Sequence, residues 1–274
     1  EPDQAIDALI DVARVDTGTI DLYFALGNLF GQRGEIERSI RVYQSLLDRT
    51  DLPDDARQMA LSKLGEAFLK GGLFDRAETS FKQLLNGPQH AHAQTQLLYI
   101  YQSQQEWVQA IDVAQGMLKT EENTVALTHF HCELAVQAMQ KKDWLMAERE
   151  LNQAQTLRPH GMRVQLLKGR WYAQQERTDE ALAVWRQLAE AQPDSVPLLV
   201  DDAMAVFEAR GEMPQGVALL YENALKTGSF DVLNAWLKAQ TKMGSQAETL
   251  AQLNVLFLQH PSLNALDKLL SKRL

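Results

Sequence analysis

The stretch that decides the fold is Leu64-Gly65-Glu66-Ala67-Phe68, which is followed about twelve residues later by Ala77 and then by Phe81. Small residues allow two antiparallel helices to approach each other, and a large residue fills the space that remains. The same combination of small and aromatic residues occurs twice more, at Gly27 with Ser39 and Tyr43, and at Gly169 with Ala181 and Trp185. The sequence therefore predicts a helix–turn–helix unit that recurs along the chain.

Weaker copies of this unit fill the intervals, and together the copies set a period. The corresponding positions are 27, 65, 98, 135, 169, 204 and 237, so the steps run from 33 to 38 residues with a mean of 35. The pattern resembles the tetratricopeptide repeat, whose period is about 34 residues, more than the ankyrin repeat of about 33, because no Thr-Pro-Leu-His run occurs. The resemblance implies an all-α fold: a right-handed superhelical solenoid of antiparallel helix pairs.

The positions of the glycine and proline residues agree with this organisation. Glycines are expected in the turns inside repeats and prolines just past the second helices; they are Gly34, Gly72 and Gly211, and Pro159, Pro193 and Pro261. We expect residues 1–15 to form the second helix of a truncated repeat, 20–260 to form about seven repeats, and 261–274 to form a capping helix. An unpaired second helix also leads us to expect that the natural protein continues upstream.

Composition excludes several functional classes. The chain has 274 residues, a net charge of −9 and one cysteine. This charge argues against nucleic-acid binding, and a single cysteine cannot form an internal disulfide. No stretch of 18 apolar residues occurs, and neither a phosphate-binding glycine loop nor a nucleophile elbow is present. We therefore expect a non-enzymatic protein with no catalytic residues and no cofactor. The oligomeric state stays open, a homodimer included.

The run His129-Phe130-His131-Cys132 invites a test for a metal site. His129 and His131 are two residues apart and point to opposite sides of a helix, whereas His129 and Cys132 can face together. With His92 from the preceding repeat they would supply three ligands, fewer than the four that a structural zinc site takes. We expect no metal here and interpret these residues as polar groups of a groove.

The first helix of each repeat is expected to line a concave groove. The groove positions lie one residue after and three residues before each repeat position; they are Phe24 and Asn28, Ser62 and Glu66, Thr95 and Tyr99, Cys132 and Val136, and Leu166 and Arg170. His92, His129 and Arg163 lie one turn earlier. Aromatic and guanidinium groups are typical anchors of protein interfaces. We therefore predict a protein-binding groove that is made of Phe24, Asn28, Glu66, His92, Tyr99, His129, Arg163 and Arg170.

Several motifs extend the resemblance to one family. They occur in order at Asp16-Thr17-Gly18-Thr19-Ile20, Leu26-Gly27-Asn28-Leu29-Phe30, Arg33-Gly34-Glu35-Ile36, Gly72-Leu73-Phe74-Asp75-Arg76-Ala77-Glu78, Glu106-Trp107-Val108-Gln109-Ala110-Ile111-Asp112-Val113-Ala114 and His129-Phe130-His131-Cys132-Glu133-Leu134-Ala135. In this order and spacing the chain resembles the lipopolysaccharide assembly protein B family of Gram-negative bacteria. The similarity is strong through about Ala135 and weaker from Pro193 onward.

The resemblance implies a regulatory adaptor at the cytoplasmic face of the inner membrane. Members of that family carry an amino-terminal membrane helix, tetratricopeptide repeats and a carboxy-terminal rubredoxin-like metal domain. They bring the deacetylase of the lipid A pathway to a membrane-anchored AAA+ protease, and a membrane sensor protein antagonises them. Neither the membrane helix nor the paired Cys-x-x-Cys motifs occur here. The chain is either a fragment trimmed at both ends or a divergent member of the family, and we expect the former, a soluble fragment. The alternative is a general repeat scaffold for another envelope assembly complex.

Overall fold

The computed structural model describes residues 20–241 and 246–261. The expectations for residues 1–15 and 262–274 lie outside these residues. The chain divides into two compact units, Glu1–Phe130 and His131–Leu274. The described residues contain helices and turns and no strand, as predicted from the sequence. None of their helices combines the length and the apolar character that a membrane crossing requires.

The first unit contains three consecutive helix pairs. Their helices are α1 (Ile20–Gln32) and α2 (Ile36–Leu47), α3 (Asp54–Lys70) and α4 (Phe74–Lys82), and α5 (His90–Gln104) and α6 (Trp107–Gln115). The next helix, α7 (Glu121–Gln140), contains the boundary between the units.

In the second unit, α7 pairs with α8 (Trp144–Leu157), and three further pairs follow. They are α9 (Met162–Gln174) with α10 (Thr178–Ala191), α11 (Val196–Ala209) with α12 (Met213–Thr227), and α13 (Phe230–Gln240) with α14 (Gln246–Gln259). A short 3₁₀ turn, Pro193–Ser195, leads into α11. We number the pairs as repeats 1 to 7 in chain order, so α9–α10 is repeat 5 and α11–α12 is repeat 6.

A left-handed residue closes the turn inside each of repeats 1 to 6. The residues with φ between 59° and 77° at this position are Gly34, Gly72, Gln105, Lys142, Glu176 and Gly211. The next amide donates to a carbonyl five residues earlier, as from Leu73 to Phe68 over 2.9 Å. This geometry caps the first helix and reverses the chain. Glycine adopts a positive φ without strain, whereas a residue with a side chain is destabilised there by about 1–2 kcal/mol. Repeats 3, 4 and 5, which have Gln105, Lys142 and Glu176 at this position, therefore carry backbone strain.

The predicted contact between glycine and an aromatic ring holds the helix pairs together. A Cβ atom added to Gly65 would lie 2.7 Å from Cζ of Phe81, and one added to Gly27 would lie 2.7 Å from Cε1 of Tyr43. Phe81 is fully buried. Because only a hydrogen atom fits between helix and ring, the glycine sets how closely the helices pack.

Repeat 6 makes the same contact with the two residue types exchanged. Here Phe207 lies on the first helix and Gly216 on the second, and an added Cβ at Gly216 would lie 2.7 Å from Cδ2 of Phe207. Phe207 is 6% exposed. The sequence marks this repeat as a degenerate copy, and the structure shows that its packing is nevertheless close.

One buried polar pair lies inside repeat 4. Nδ1 of His131 is 2.7 Å from Oε2 of Glu150, and both side chains are buried. Glu150 is on α8, so this bond joins the two helices of the repeat. A buried polar group needs a partner of this kind because an unmatched one costs about 1–3 kcal/mol. His131 is thus occupied by a structural contact.

Candidate functional site

The candidate site is the exposed side of the first helices, which we call the first-helix surface. It consists of the predicted groove positions in each unit, and the two units are described separately. The sequence predicts that these residues bind a polypeptide.

In repeat 1, the predicted residues Phe24 and Asn28 both contact Tyr43. The ring centroids of Phe24 and Tyr43 are 6.2 Å apart, and the Tyr43 hydroxyl donates to Oδ1 of Asn28 over 2.9 Å. Burial, and secondarily the negative charge of Glu66, raises the pKa of Tyr43 to about 12. The hydroxyl therefore stays neutral and orients Asn28, which is exposed.

Glu66 and His92 meet between repeats 2 and 3. Nε2 of His92 lies 3.4 Å from Oε1 of Glu66, and Lys63 donates to Oε2 of Glu66 over 2.9 Å. The nitrogen of His92 is buried and forms no hydrogen bond, so its distance to Glu66 reflects proximity rather than a bond. The His92 ring also packs edge-on against Phe81, 6.0 Å between centroids.

Tyr99 and His129 differ in their surroundings. Tyr99 is 56% exposed, which leaves an aromatic ring available at the surface. His129 is exposed too, but its ring packs edge-on against Trp107 with centroids 6.0 Å apart. An aromatic ring with one free face supplies contact area at low entropic cost. Tyr99 is therefore the predicted aromatic groove residue of the first unit that is most available for contact.

The two predicted arginines of the second unit already have carboxylate partners. Arg163 pairs with Glu133, and Nε of Arg170 donates to Oδ2 of Asp202 over 2.7 Å. Asp202 is on α11, so this pair connects the first helices of repeats 5 and 6. A ligand carboxylate would have to exchange with these partners, which reduces what either arginine adds to binding.

Two positions of the predicted stripe are not on the surface. Ser62 is 4% exposed and Cys132 is fully buried, so the expectation that they line the groove is wrong. In α3 and α7 the residue three positions before the repeat glycine or alanine faces the neighbouring helices instead of solvent. Thr95 is exposed, whereas Val136 and Leu166 are partly buried.

His129 and Cys132, whose spacing allows them to face together, do not do so. Cys132 is fully buried, and burial raises the pKa of its thiol to about 11, whereas His129 is exposed. Within residues 20–241 and 246–261, no three His, Cys, Asp or Glu side chains are placed to hold a metal ion. The arrangement offers shape, aromatic surface and polar groups, which suit protein binding.

The groove predicted from the sequence ends at repeat 5, although the same offsets from the repeat position can be continued into repeats 6 and 7. In repeats 6 and 7 they give Asp201 and Ala205 on α11, and Asn234 and Lys238 on α13, all of which are exposed. The repeat spacing alone would have found them. These four residues line one groove of the second unit.

Comparison with known proteins bears on the repeat fold and on the family resemblance. A family model described as "Tetratricopeptide repeat" matches residues 24–91 and 132–196. The chain is 38% identical over 173 residues to lipopolysaccharide assembly protein B of Escherichia coli K12, which covers 62% of this chain and 44% of that protein. The protein of the same name from Haemophilus influenzae is 27% identical over 205 residues, 71% of this chain and 52% of its own length.

Among solved structures, the chain is similar to a crystal structure of the MamA protein, with 20% identity and a TM-score of 0.41 over 66% of this chain and 96% of that one. The comparisons confirm the tetratricopeptide-repeat fold and the resemblance to the lipopolysaccharide assembly protein B family. The chain spans about half the length of the relatives of that name, 44% and 52%.

Proposed function

We propose that this chain is an adaptor that regulates lipopolysaccharide synthesis. It is a non-enzymatic tetratricopeptide-repeat protein, and it resembles lipopolysaccharide assembly protein B. In this role the chain holds the deacetylase of the lipid A pathway and presents it to a membrane-anchored AAA+ protease. A membrane sensor protein would oppose this action. The identity of 38% over 173 residues is the observation that carries the proposal.

The physical basis of such an adaptor is effective concentration. Holding a protease and its substrate on one scaffold makes their encounter intramolecular and requires no new chemistry. Stacked helix pairs suit this task because short local contacts create a long binding surface. We place the adaptor at the cytoplasmic face of the inner membrane, as the resemblance to the lipopolysaccharide assembly protein B family implies.

The first-helix surface of each unit is the proposed contact for the deacetylase. Tyr99 supplies exposed aromatic area, and the amide of Asn28 can bond to a partner's backbone. Arg170, partly exposed and held by Asp202, offers a guanidinium at a fixed position. Aromatic and arginine side chains are the residues on which binding energy concentrates.

The test is capture of purified deacetylase by the immobilised chain. We expect the combined variant Asn28→Ala, Tyr99→Ala and Arg170→Ala to weaken capture by at least about tenfold, since the three side chains together should contribute about 1.4 kcal/mol or more, mainly through Tyr99. The matched control changes three exposed residues of second helices, Val108→Ala, Leu145→Ala and Glu190→Ala. It should bind like the unchanged chain.

Two results would redirect the proposal. Undiminished capture by the first variant would remove these residues from the contact. A chain that captures no deacetylase but retains components of another envelope assembly complex would favour the second candidate, a general repeat scaffold with a different client. The repeat fold supports that candidate equally, and only the similarity to lipopolysaccharide assembly protein B ranks it lower.

A further inference from the structure

A groove of about 660 Å³ lies in the second unit between the first helices of repeats 6 and 7. From α11 it is lined by residues 197, 200, 201, 204, 205 and 208, and from α13 by residues 231, 234, 235, 238 and 239. Both sets have the spacing of one helical face. Each helix therefore turns a continuous side toward the groove.

The floor of the groove is apolar. It is made by Val200, Met204, Ala235 and Ala239, with Met213 from the start of α12. Val200 and Ala239 are 6% and 8% exposed, whereas Met204 and Ala235 are half-buried. An open apolar floor with a flexible methionine accommodates aliphatic side chains of different shapes.

The rim of the groove is acidic. Asp201, Glu208 and Asp231 are exposed, and Lys238 is the only cation among the described lining residues. Within the described part of the chain, no ion pair is formed by any of these three carboxylates. The carboxylate beside them behaves differently, because Asp202 is held by Arg170.

This contrast indicates which occupant fits. Two neighbouring carboxylates of the second unit are matched with arginines, Asp202 with Arg170 and Glu212 with Arg210. Among residues 20–241 and 246–261 the groove carboxylates have no such partner, and they surround apolar surface. A cationic partner segment would neutralise them, which favours its association and selects against acidic segments.

We propose that this groove binds a polypeptide segment in which lysine or arginine residues flank aliphatic side chains. The aliphatic groups would cover Met204 and Ala235, the cations would pair with the rim carboxylates, and the Asn234 amide would bond to the segment's backbone. The inference deepens the proposed function and rests on it only in taking the occupant to be part of a protein client.

The experiment measures binding of short fluorescent peptides to the whole chain by fluorescence anisotropy. The probe alternates lysine and leucine. One control replaces every lysine with glutamate, and a second replaces every leucine with serine. We expect the probe to bind and both controls to bind at least about tenfold more weakly, because charge and apolar contact are each required.

Variants locate the binding. We expect the affinity for the probe to fall about tenfold in the combined variant Asp201→Asn, Glu208→Gln and Asp231→Asn. The difference from the unchanged chain should decrease as salt is added. The matched control removes three exposed carboxylates elsewhere in the second unit, Glu148→Gln, Asp194→Asn and Glu190→Gln. It should leave binding unchanged. A separate variant, Ala205→Arg, places a bulky cation on the exposed groove wall and should also abolish binding.

The inference would be overturned if the control carboxylate variant lost as much probe affinity as the groove variant. It would also be overturned if the peptide with serine in place of leucine bound as tightly as the probe. In either case the attraction would be unspecific charge. Binding that survives Ala205→Arg would overturn it too. Deacetylase capture is scored separately. Capture without probe binding contradicts the groove inference alone, and probe binding without capture contradicts the proposed client alone.

Discussion

Repeats 5 and 6 fill the same space between two helices with opposite arrangements. In repeat 5 the glycine is on the first helix and the aromatic residue on the second, Gly169 against Trp185. In repeat 6 the aromatic residue is on the first helix and the glycine on the second, Phe207 against Gly216. The packing therefore requires a small residue opposite a large one and does not fix which helix carries which.

The two arrangements differ in how firmly the ring is held. Nε1 of Trp185 donates to the backbone carbonyl of Leu166 over 3.1 Å, so the indole has a fixed position. Phe207 has no polar atom, and Met204 lies beside it next to Gly216. Repeat 5 should therefore tolerate a change at its glycine less well than repeat 6.

The largest expected effect is that of an added methyl group at these glycines. A Cβ at Gly169 would lie 2.6 Å from Cδ1 of Trp185 and closer still to Nε1, which is hydrogen-bonded. At Gly216 it would lie 2.7 Å from Cδ2 of Phe207, a ring that no hydrogen bond holds, and 3.0 Å from Sδ of the flexible Met204. We expect Gly169→Ala to lower the free energy of unfolding by about 1–3 kcal/mol and Gly216→Ala by about half as much. Urea denaturation followed by circular dichroism measures both.

The control for this comparison is Ala205→Gly on an exposed helical position. It measures helix propensity alone, which by itself would make each Gly→Ala change stabilising by roughly 0.5–1 kcal/mol. A Gly216→Ala variant that loses as much stability as Gly169→Ala would show that the fixed indole is unimportant.

A smaller effect is expected at the turns of the same two repeats. Glu176 in repeat 5 and Gly211 in repeat 6 have φ of 60° and 71°. Glu176→Gly should raise the free energy of unfolding by about 0.5–1 kcal/mol through relief of left-handed strain, and Gly211→Ala should lower it by about 1 kcal/mol. Thermal denaturation of both variants tests this, with Glu176→Ala as the control for loss of the carboxylate. No gain from Glu176→Gly would mean that the turn is unstrained.

The smallest effect is expected for the ion pair that connects the two repeats. Arg170 and Asp202 are 40% and 30% exposed, so we expect a coupling energy of about 0.2–1 kcal/mol that decreases with salt. A double-mutant cycle with Arg170→Gln and Asp202→Asn, measured at two salt concentrations, gives this value. A coupling that does not change with salt would indicate that packing rather than charge joins these residues.

Much of the fold was predictable because the repeat signal is periodic. Gly65 and Phe81, or Gly169 and Trp185, identify helix pairs by their spacing, and Gly34 and Gly72 mark turns. The turns at Gln105, Lys142 and Glu176 carry no glycine, so residue type alone could not identify them. Counting seven residues from each repeat position would have found all of them.

The candidate site was harder to predict because exposure depends on how each helix is rotated. Asn28 and Tyr99 are exposed as predicted. Three residues before the repeat position, however, Thr95 is exposed whereas Cys132 is buried at the same offset. The pairing of Arg163 with Glu133, thirty residues earlier, is likewise a tertiary contact without a local sequence signal. The acidic groove could be found only by continuing the offsets to Asp201 and Asn234 and by seeing in the structure that its carboxylates form no ion pair with any other described residue.

Hydrogen–deuterium exchange of the chain with and without the deacetylase would decide whether the first helices bind the client. Slower exchange is predicted in the first helices α1, α3, α5, α7, α9, α11 and α13, with second helices such as α6 and α10 unchanged. Protection confined to the second helices, in the presence of demonstrated binding, would contradict a client-binding role of the first-helix surface.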